Sequence, residues 1–210
     1  MKATLIDKLG TDLTVVNAAR VSFNKESTVF SEQDEKLLNY LAKHNHWSPF
    51  AHAQAQFHFK APIFVARQLV KHQVGLVWNE VSRRYVDSPP EFYFPDGWRK
   101  KADNKKQGSL DEVVDSNDKI IDGVSELTES YKCAYLSLLG LGVCPEQARM
   151  ILPLNTYTEW YWTGSLYAWA RVFKLRTDLH AQKECQDIIK QIDIPLMGAF
   201  PKAWAALKDN

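Results

Sequence analysis

The chain carries eight arginines, and six of them (Arg67, Arg83, Arg84, Arg149, Arg171 and Arg176) fall in three short windows that also hold its least ordinary sequence. A guanidinium is a planar fork of five donors that matches phosphate or carboxylate, whereas a lysine offers a point charge. Such clustering suits an anion site; it also suits solvated helix faces or ion pairs. In the first window, Arg67-Gln68-Leu69-Val70-Lys71-His72-Gln73, helical spacing sets Arg67 over Lys71 and Gln68 over His72. The second, Trp78-Asn79-Glu80-Val81-Ser82-Arg83-Arg84-Tyr85, combines an acidic acceptor, a hydroxyl, two guanidinium groups and a phenol. Ser82 and its arginines suit a phosphate monoester, and Glu80 suits the donors of a ribose or a base, with a charged surface strand as the plain alternative. The third runs from Arg149 to Gln182. Arg176 and His180 would share one face of a continuous helix there, and pairing of the arginines with Asp178 or Glu184 is the alternative to ligand binding.

Other chemistries lack their signatures. No Gly-x-Ser-x-Gly elbow surrounds Ser82, so the sequence assigns it no activating base. His44, His46, His52 and His58 could suggest a metal, yet no HExxH occurs and no cysteine is near them, so structural or ligand-contacting roles are favoured. Neither GxGxxG nor GxxxxGK[ST] is present, so a bound nucleotide or flavin must be held by something other than a Rossmann or P-loop turn.

Those windows need elements to position them. At 210 residues, 45% hydrophobic and 24% charged, the chain is expected to fold as one domain, residues 1–210, with a core that needs no staples. Three cysteines without CxxC spacing, no run of about 20 apolar residues and no signal-like N-terminus lead to the expectation of a soluble cytoplasmic protein. A net charge of +1 argues against a generally basic nucleic-acid binder.

The opening reads as a strand, a turn at Gly10-Thr11-Asp12 and a short helix. Ser31 and Asp34 resemble a capping box for a helix ending near Asn45, after which Trp47-Ser48-Pro49 predicts an extended or turning backbone. Strict alternation over Ala51–Lys60 predicts a half-buried antiparallel strand. Pro62 is expected in the first turn of a helix through Val70. Residues 87–108 read as an irregular loop in which Phe92, Tyr93 and Phe94 dock. Helices are expected at 111–140, Pro145–Ile151, Ser165–Lys174, Asp178–Ile192 and Pro195–Leu207. The fold class is α+β: helix-rich, with a small antiparallel sheet.

The strings APIFVARQ (61–68), NEVSRRY (79–85), ARMILPLN (148–155) and LRTDLHAQ (175–182), with ARVSF (19–23) and HNHWSPFAH (44–52), together resemble the flavin-dependent thymidylate synthases. The matches follow the family's order from about residue 15 to 185. The family's Arg-His-Arg followed by Asn-Glu-x-Ser-x-Arg-Tyr stands here as Lys71-His72-Gln73 and Asn79-Glu80-Val81-Ser82-Arg83-Arg84-Tyr85, with one extra residue between His72 and Asn79.

The resemblance implies conversion of dUMP to dTMP with methylenetetrahydrofolate as methylene donor and NADPH as reductant through bound FAD. It also implies a homotetramer with shared active sites, and no nucleic-acid or membrane partner. Carried over, the dUMP site comprises Gln68, Leu69, Val70, Lys71, Glu80, Val81, Ser82, Arg83, Arg84, Arg149 and Arg176. Within it Ser82, Arg84 and Arg149 would cradle the phosphate, and Arg176 would act as the catalytic cation beside the pyrimidine. The FAD site comprises His46, Ser48, Lys71, His72, Gln73 and Glu80, with Ser165 and Arg171 where the family usually has asparagines. Two rival readings are a flavoprotein of this fold with an altered nucleotide substrate, and a nucleic-acid-binding module.

Overall fold

A computed structural model describes residues 1–102 and 109–210. In chain order the elements are β1 (Lys2–Leu9), α1 (Asp12–Arg20), α2 (Glu32–Lys43), α3 (Trp47–Ala51), β2 (Gln54–Pro62), α4 (Ile63–Leu69), β3 (Leu76–Glu80), β4 (Arg99–Lys101) and β5 (Ser109–Val113). The long α5 (Asn117–Gly140), α6 (Pro145–Ala148), β6 (Tyr157–Ser165), α7 (Leu166–Thr177), α8 (Lys183–Lys190), α9 (Asp193–Ala199) and α10 (Pro201–Asp209) follow. This is the α+β architecture expected from the sequence: helix-rich around a four-stranded antiparallel sheet of order β1-β2-β6-β3, with β4 and β5 pairing apart from it. No helix among the described residues is long and apolar enough to cross a membrane.

Alternation in β2 buries Ala55, Phe57, Phe59 and Ala61 on one face and turns Gln54, Gln56, His58 and Lys60 to the other. Its partner β6, outside every element expected from the sequence, brings Trp160 and Trp162 to the same buried face. Phe59 stacks on Trp160 with centroids 5.2 Å apart, and Trp78 of β3 stacks on the far side of Trp160 at 4.3 Å. Trp169 of α7 closes the cluster edge-on to Trp162 at 5.0 Å and donates its indole N–H to the Ala55 carbonyl at 3.0 Å. Each such buried aromatic contributes on the order of 2–3 kcal/mol through burial. Gly164 lets β3 lie close: a Cβ there would collide with Leu76 and sit 2.9 Å from the Gly75 carbonyl oxygen.

Several boundaries differ from expectation. Trp47–Ala51 is a helical turn, because Pro49 sits in its first turn, where backbone N–H groups have no helical acceptor. Pro62 ends β2 and precedes α4 at its N-cap. The stretch expected to begin a helix at 111 pairs with β4 instead, and α5 starts at Asn117, whose side chain accepts from Trp98 N–H. The expected 178–192 helix is interrupted because the Asp178 carboxylate takes the His180 N–H at 2.8 Å, closing a turn; Arg176 and His180 therefore do not share a helix face. Pro201 likewise splits α9 from α10 at Phe200. Of the aromatics in the 87–108 segment, Phe92 bridges to Thr156 and Tyr93 packs on Phe64, but Phe94 stays 40% exposed. The end of that segment, 103–108, lies outside the described residues.

The capping box is present and extends further than its sequence suggests. Buried Asp34 accepts from Ser31 N–H and O–H, from Ser27 O–H, and from Arg20 at 2.6 Å. Burial pushes the Asp34 pKa up, but these donors outweigh it and hold the carboxyl down to about 2. Asp34→Ala should cost about 2–3 kcal/mol in urea unfolding at neutral pH by stranding these donors. The stability contributed by the depressed carboxyl is present above about pH 3.8 and fades as the pH falls toward 2. Wild type and variant should therefore converge in acid; a constant difference down to pH 2 would contradict this assignment.

Candidate active site

The two arginines outside the windows are both committed to the fold. Arg20 pairs with Asp34, and Arg99 pairs with the buried Glu184 at 2.8 Å. None of the six window arginines forms an ion pair among the described residues. The carboxylates expected to neutralise the third window are engaged elsewhere, Asp178 with a backbone N–H and Glu184 with Arg99. Among the described residues internal ion pairing therefore does not account for the cluster, and the six guanidinium groups keep donors for an external anion.

The first grouping forms where α4 ends and α7 ends. Arg176 Nε donates to His72 Nε2 at 2.8 Å, and its Nη2 donates to the Gln68 carbonyl at 3.4 Å. Helix α4 stops at Leu69, so Lys71, His72 and Gln73 lie in the turn that follows rather than on a helix face. Gln73 O accepts from Leu76 N and starts β3, and Gly75 takes a φ of +77°, which favours glycine. Leu69 is fully buried, so only its backbone is available to a ligand; Val70 is half-buried, and Lys71 and Gln73 are exposed. His72 lies beside Trp162. Burial, with the Arg176 and Arg171 charges adding to it, lowers its pKa to about 4. His72 is therefore a neutral imidazole that accepts at Nε2 and keeps its proton on Nδ1.

The second grouping lies past the other end of β3, a strand that spans roughly 13 Å between its first and last residues. Glu80 accepts from Thr158 O–H at 2.7 Å and Trp78 Nε1 at 3.2 Å. Ser82 Oγ accepts from Arg84 N at 3.3 Å, making a short turn. Glu80, Val81, Arg83 and Arg149 line one cleft of about 360 Å³, with Lys60 and Tyr157 opposite. Arg84 does not line that cleft: its guanidinium rests on the Tyr85 ring and donates to its hydroxyl, both groups exposed. No hydrogen bond or ion pair among the described residues joins this grouping to that of Arg176.

A third place collects two further residues. His46 and Arg171 line a cleft between α2, α3 and α7 with Asn45, Trp47, Tyr167 and Lys174. Ser48 is exposed on α3, and the Ser165 hydroxyl oxygen accepts the Ala168 N–H to cap α7 while keeping its own hydrogen to donate. The donor set of this cleft, cationic and amide groups beside two aromatic rings, matches a dinucleotide's pyrophosphate and flat rings.

Residues 4–202 match the family model described as thymidylate synthase complementing protein. The chain belongs to this family. Over 206 residues it is 40% identical to the flavin-dependent thymidylate synthase of Thermus thermophilus, a match covering 98% of this chain and 75% of the relative. It is 43% identical over 185 residues to the enzyme of that name from Thermosipho africanus, covering 87% and 79% of the two chains. Among solved structures it resembles the UMP/dUMP methylase PolB from Streptomyces cacaoi bound with 5-Br dUMP: TM-score 0.89, 28% identity, 99% of this chain and 94% of that one.

Family membership accounts for the windows, but some of the site's supporting residues escape a motif reading. Thr158 on β6 orients Glu80, and Gln182 and Cys185 reach Gln68 from α8 and its approach. Alternation of Thr, Trp and Tyr through 157–163 was the signal that could have revealed β6. Of the three cysteines only Cys185 is buried, and its thiol donates to Gln68; Cys133 and Cys144 are exposed and do not pack as small apolar core residues.

The His72 assignment has a measurable consequence. As pH falls from about 6.5 to 4, the unfolded chain takes up a proton that folded His72 refuses, so stability declines across that window. His72→Gln should lack this decline, and nitrogen-detected NMR should show an Nδ1-protonated imidazole titrating near pH 4. A His72 that titrates near 6.5 would remove Arg176's acceptor from the picture.

Proposed function

We propose that this chain is a flavin-dependent thymidylate synthase, making dTMP from dUMP with methylenetetrahydrofolate as methylene donor and NADPH as reductant. It works as one domain over residues 1–210, in a cytoplasmic homotetramer. The observation that carries the reading is the set of six guanidinium groups without a carboxylate partner among the described residues, on the segments where the family's motifs lie. The fully extended separation along β3 supports shared sites: Gln68 and Arg176 of one subunit and Ser82, Arg83 and Arg84 of another close on a single nucleotide.

Arg149 and the Ser82 turn bind the phosphate, the hydroxyl donating and the guanidinium groups neutralising charge. Arg176 faces the pyrimidine. Its Nε is tied to neutral His72 and one Nη2 hydrogen to a carbonyl, so its remaining donors are fixed before substrate arrives. A fixed cation there stabilises charge that grows on the ring, without a covalent enzyme adduct. Cys185 is unsuited to act as a nucleophile, since burial pushes its thiol up to about 11, and Cys133 and Cys144 are exposed on different elements from Arg176. His46, Ser48, Lys71, His72, Gln73, Glu80, Ser165 and Arg171 hold FAD, with Arg171 and Lys174 toward its pyrophosphate. When bound, FAD supplies the reducing equivalents that NADPH replenishes.

Steady-state kinetics separate the roles. Ser82→Ala should weaken dUMP binding and retain turnover at saturation, while Arg176→Ala should lower turnover about a hundredfold or more and still take up flavin. A Ser82→Ala enzyme with normal dUMP affinity and no turnover would reverse the two assignments. The purified protein should be yellow, and Lys71 with Gln73 in place of two arginines should make flavin retention weaker than in relatives with both. Gln73→Arg should tighten flavin binding in a titration and Arg171→Asn should loosen it; no change in either would contradict the assigned contacts.

A further inference from the structure

A directed hydrogen-bond chain runs from the β4–β5 pair to Gln68. Arg99 Nη2 donates to Glu184 Oε1 at 2.8 Å, and Arg99 Nε donates to Ser109 Oγ at 2.7 Å. Gln182 Nε2 donates to Glu184 Oε2 at 2.8 Å. Gln68 Nε2 donates to Gln182 Oε1, and the Cys185 thiol donates to Gln68 Oε1 at 3.3 Å. Glu184 is 5% exposed and Cys185 fully buried, so solvent does not substitute for these partners.

The direction of the chain follows from chemistry at its ends. A carboxylate paired with a guanidinium has no hydrogen to give, so Gln182 must turn its NH₂ toward Glu184 and its carbonyl toward Gln68. Gln68 must then offer its NH₂ to Gln182, which leaves its carbonyl oxygen toward Cys185. Burial keeps Cys185 as a thiol, a donor, and so the far end agrees with the near one. Turning either amide over would set two acceptors against each other, at Glu184 for Gln182 and at the Gln182 oxygen for Gln68, a repulsion the present order avoids. What remains free on Gln68 is one lone pair on Oε1 and one hydrogen on Nε2, in a fixed order.

That order is complementary to one pyrimidine. Uracil presents a donor at N3–H beside a carbonyl acceptor, which an acceptor-and-donor pair in fixed order satisfies. Cytosine presents the reverse, an acceptor at N3 beside a 4-amino donor, and only an overturned amide accommodates it. We infer that Glu184, anchored by Arg99 and acting through Gln182, is a positioning residue that locks the Gln68 amide in the orientation selecting uracil over cytosine. The inference rests on Gln68 lying at the pyrimidine of dUMP, as proposed above.

Calorimetric titration of the flavin-loaded protein with dUMP and with dCMP tests it. Wild type should prefer dUMP a hundredfold or more. In Glu184→Gln the new amide keeps its carbonyl oxygen on Arg99 and turns its NH₂ toward Gln182, which reverses the chain. The preference should then shrink about tenfold or more, through tighter dCMP binding and weaker dUMP binding together. Gln182→Met, at a half-buried position, breaks the same chain without touching the ion pair and should give the same loss of preference. A merely structural role would weaken both nucleotides together and leave their ratio intact. An unchanged dUMP-to-dCMP ratio in Gln182→Met or in a folded Glu184→Gln would overturn the inference while leaving the substrate reading in place. Wild-type protein that takes up flavin but binds neither nucleotide would overturn the substrate reading itself, and the inference with it.

Discussion

The pairing of β2 with β6 is the constraint from which the candidate site hangs. The strands are in register over nine residue pairs, Gln54↔Ser165 to Pro62↔Tyr157, and their buried face carries Phe57, Phe59, Trp160 and Trp162. Each arginine window is attached to this pair by a short covalent or ladder link. Strand β2 runs through Pro62 into α4 and the Lys71-His72-Gln73 turn; β6 runs through Ser165 into α7 with Arg171 and Arg176; β3, leading to Ser82, lies along β6. A slip of one residue would invert the faces of both strands, expose four large aromatics and move all three windows. The hydrophobic seam thus sets the positions of groups that never enter it.

Charge is sorted on this frame according to burial. Of the carboxylates withdrawn from water, Asp34 and Glu184 each hold an arginine and Asp12 accepts the Lys202 and Ala203 N–H groups, because an unpaired buried charge is far more costly than a solvated one. Among the described residues the window arginines are left to solvent, backbone carbonyls, two aromatic rings, a phenol hydroxyl and a neutral imidazole. Such partners orient a guanidinium without cancelling its charge. His72 illustrates the arrangement: a protonated imidazole would repel Arg176, whereas the neutral ring beside Trp162 accepts from it. Around Arg176 this arrangement is preorganised for an anion, whereas the cleft of Arg83 and Arg149 also carries Glu80, Glu91 and Glu159.

Much of this was legible along the chain. Alternation in β2 has a period of 2 that no helix shares, so the strand and its buried face followed from residue order alone. The Ser31–Asp34 cap is local, made of groups three residues apart, and the windows announced themselves by residue type in family order. Local patterns succeed where local geometry decides. They failed where one local preference met a stronger neighbour: Pro49 cost nothing in a first turn, and Asp178 stopped a helix by taking one N–H for its own side chain.

By itself the sequence determined the family, the fold class, the strand at the centre and the segments bearing the arginines. Only the tertiary structure decided which arginines are committed and which are free, since Arg20 and Arg99 differ from the others through carboxylates 14 and 85 residues away. The same holds for His72, whose neutral state comes from burial and from Arg176, 104 residues on. Gln68 gains its fixed amide from Gln182 and Cys185 across two helices. The physical reason is common to all three: charge state and hydrogen-bond direction belong to partners in space and to the water that packing excludes, and neither is a property of neighbouring letters.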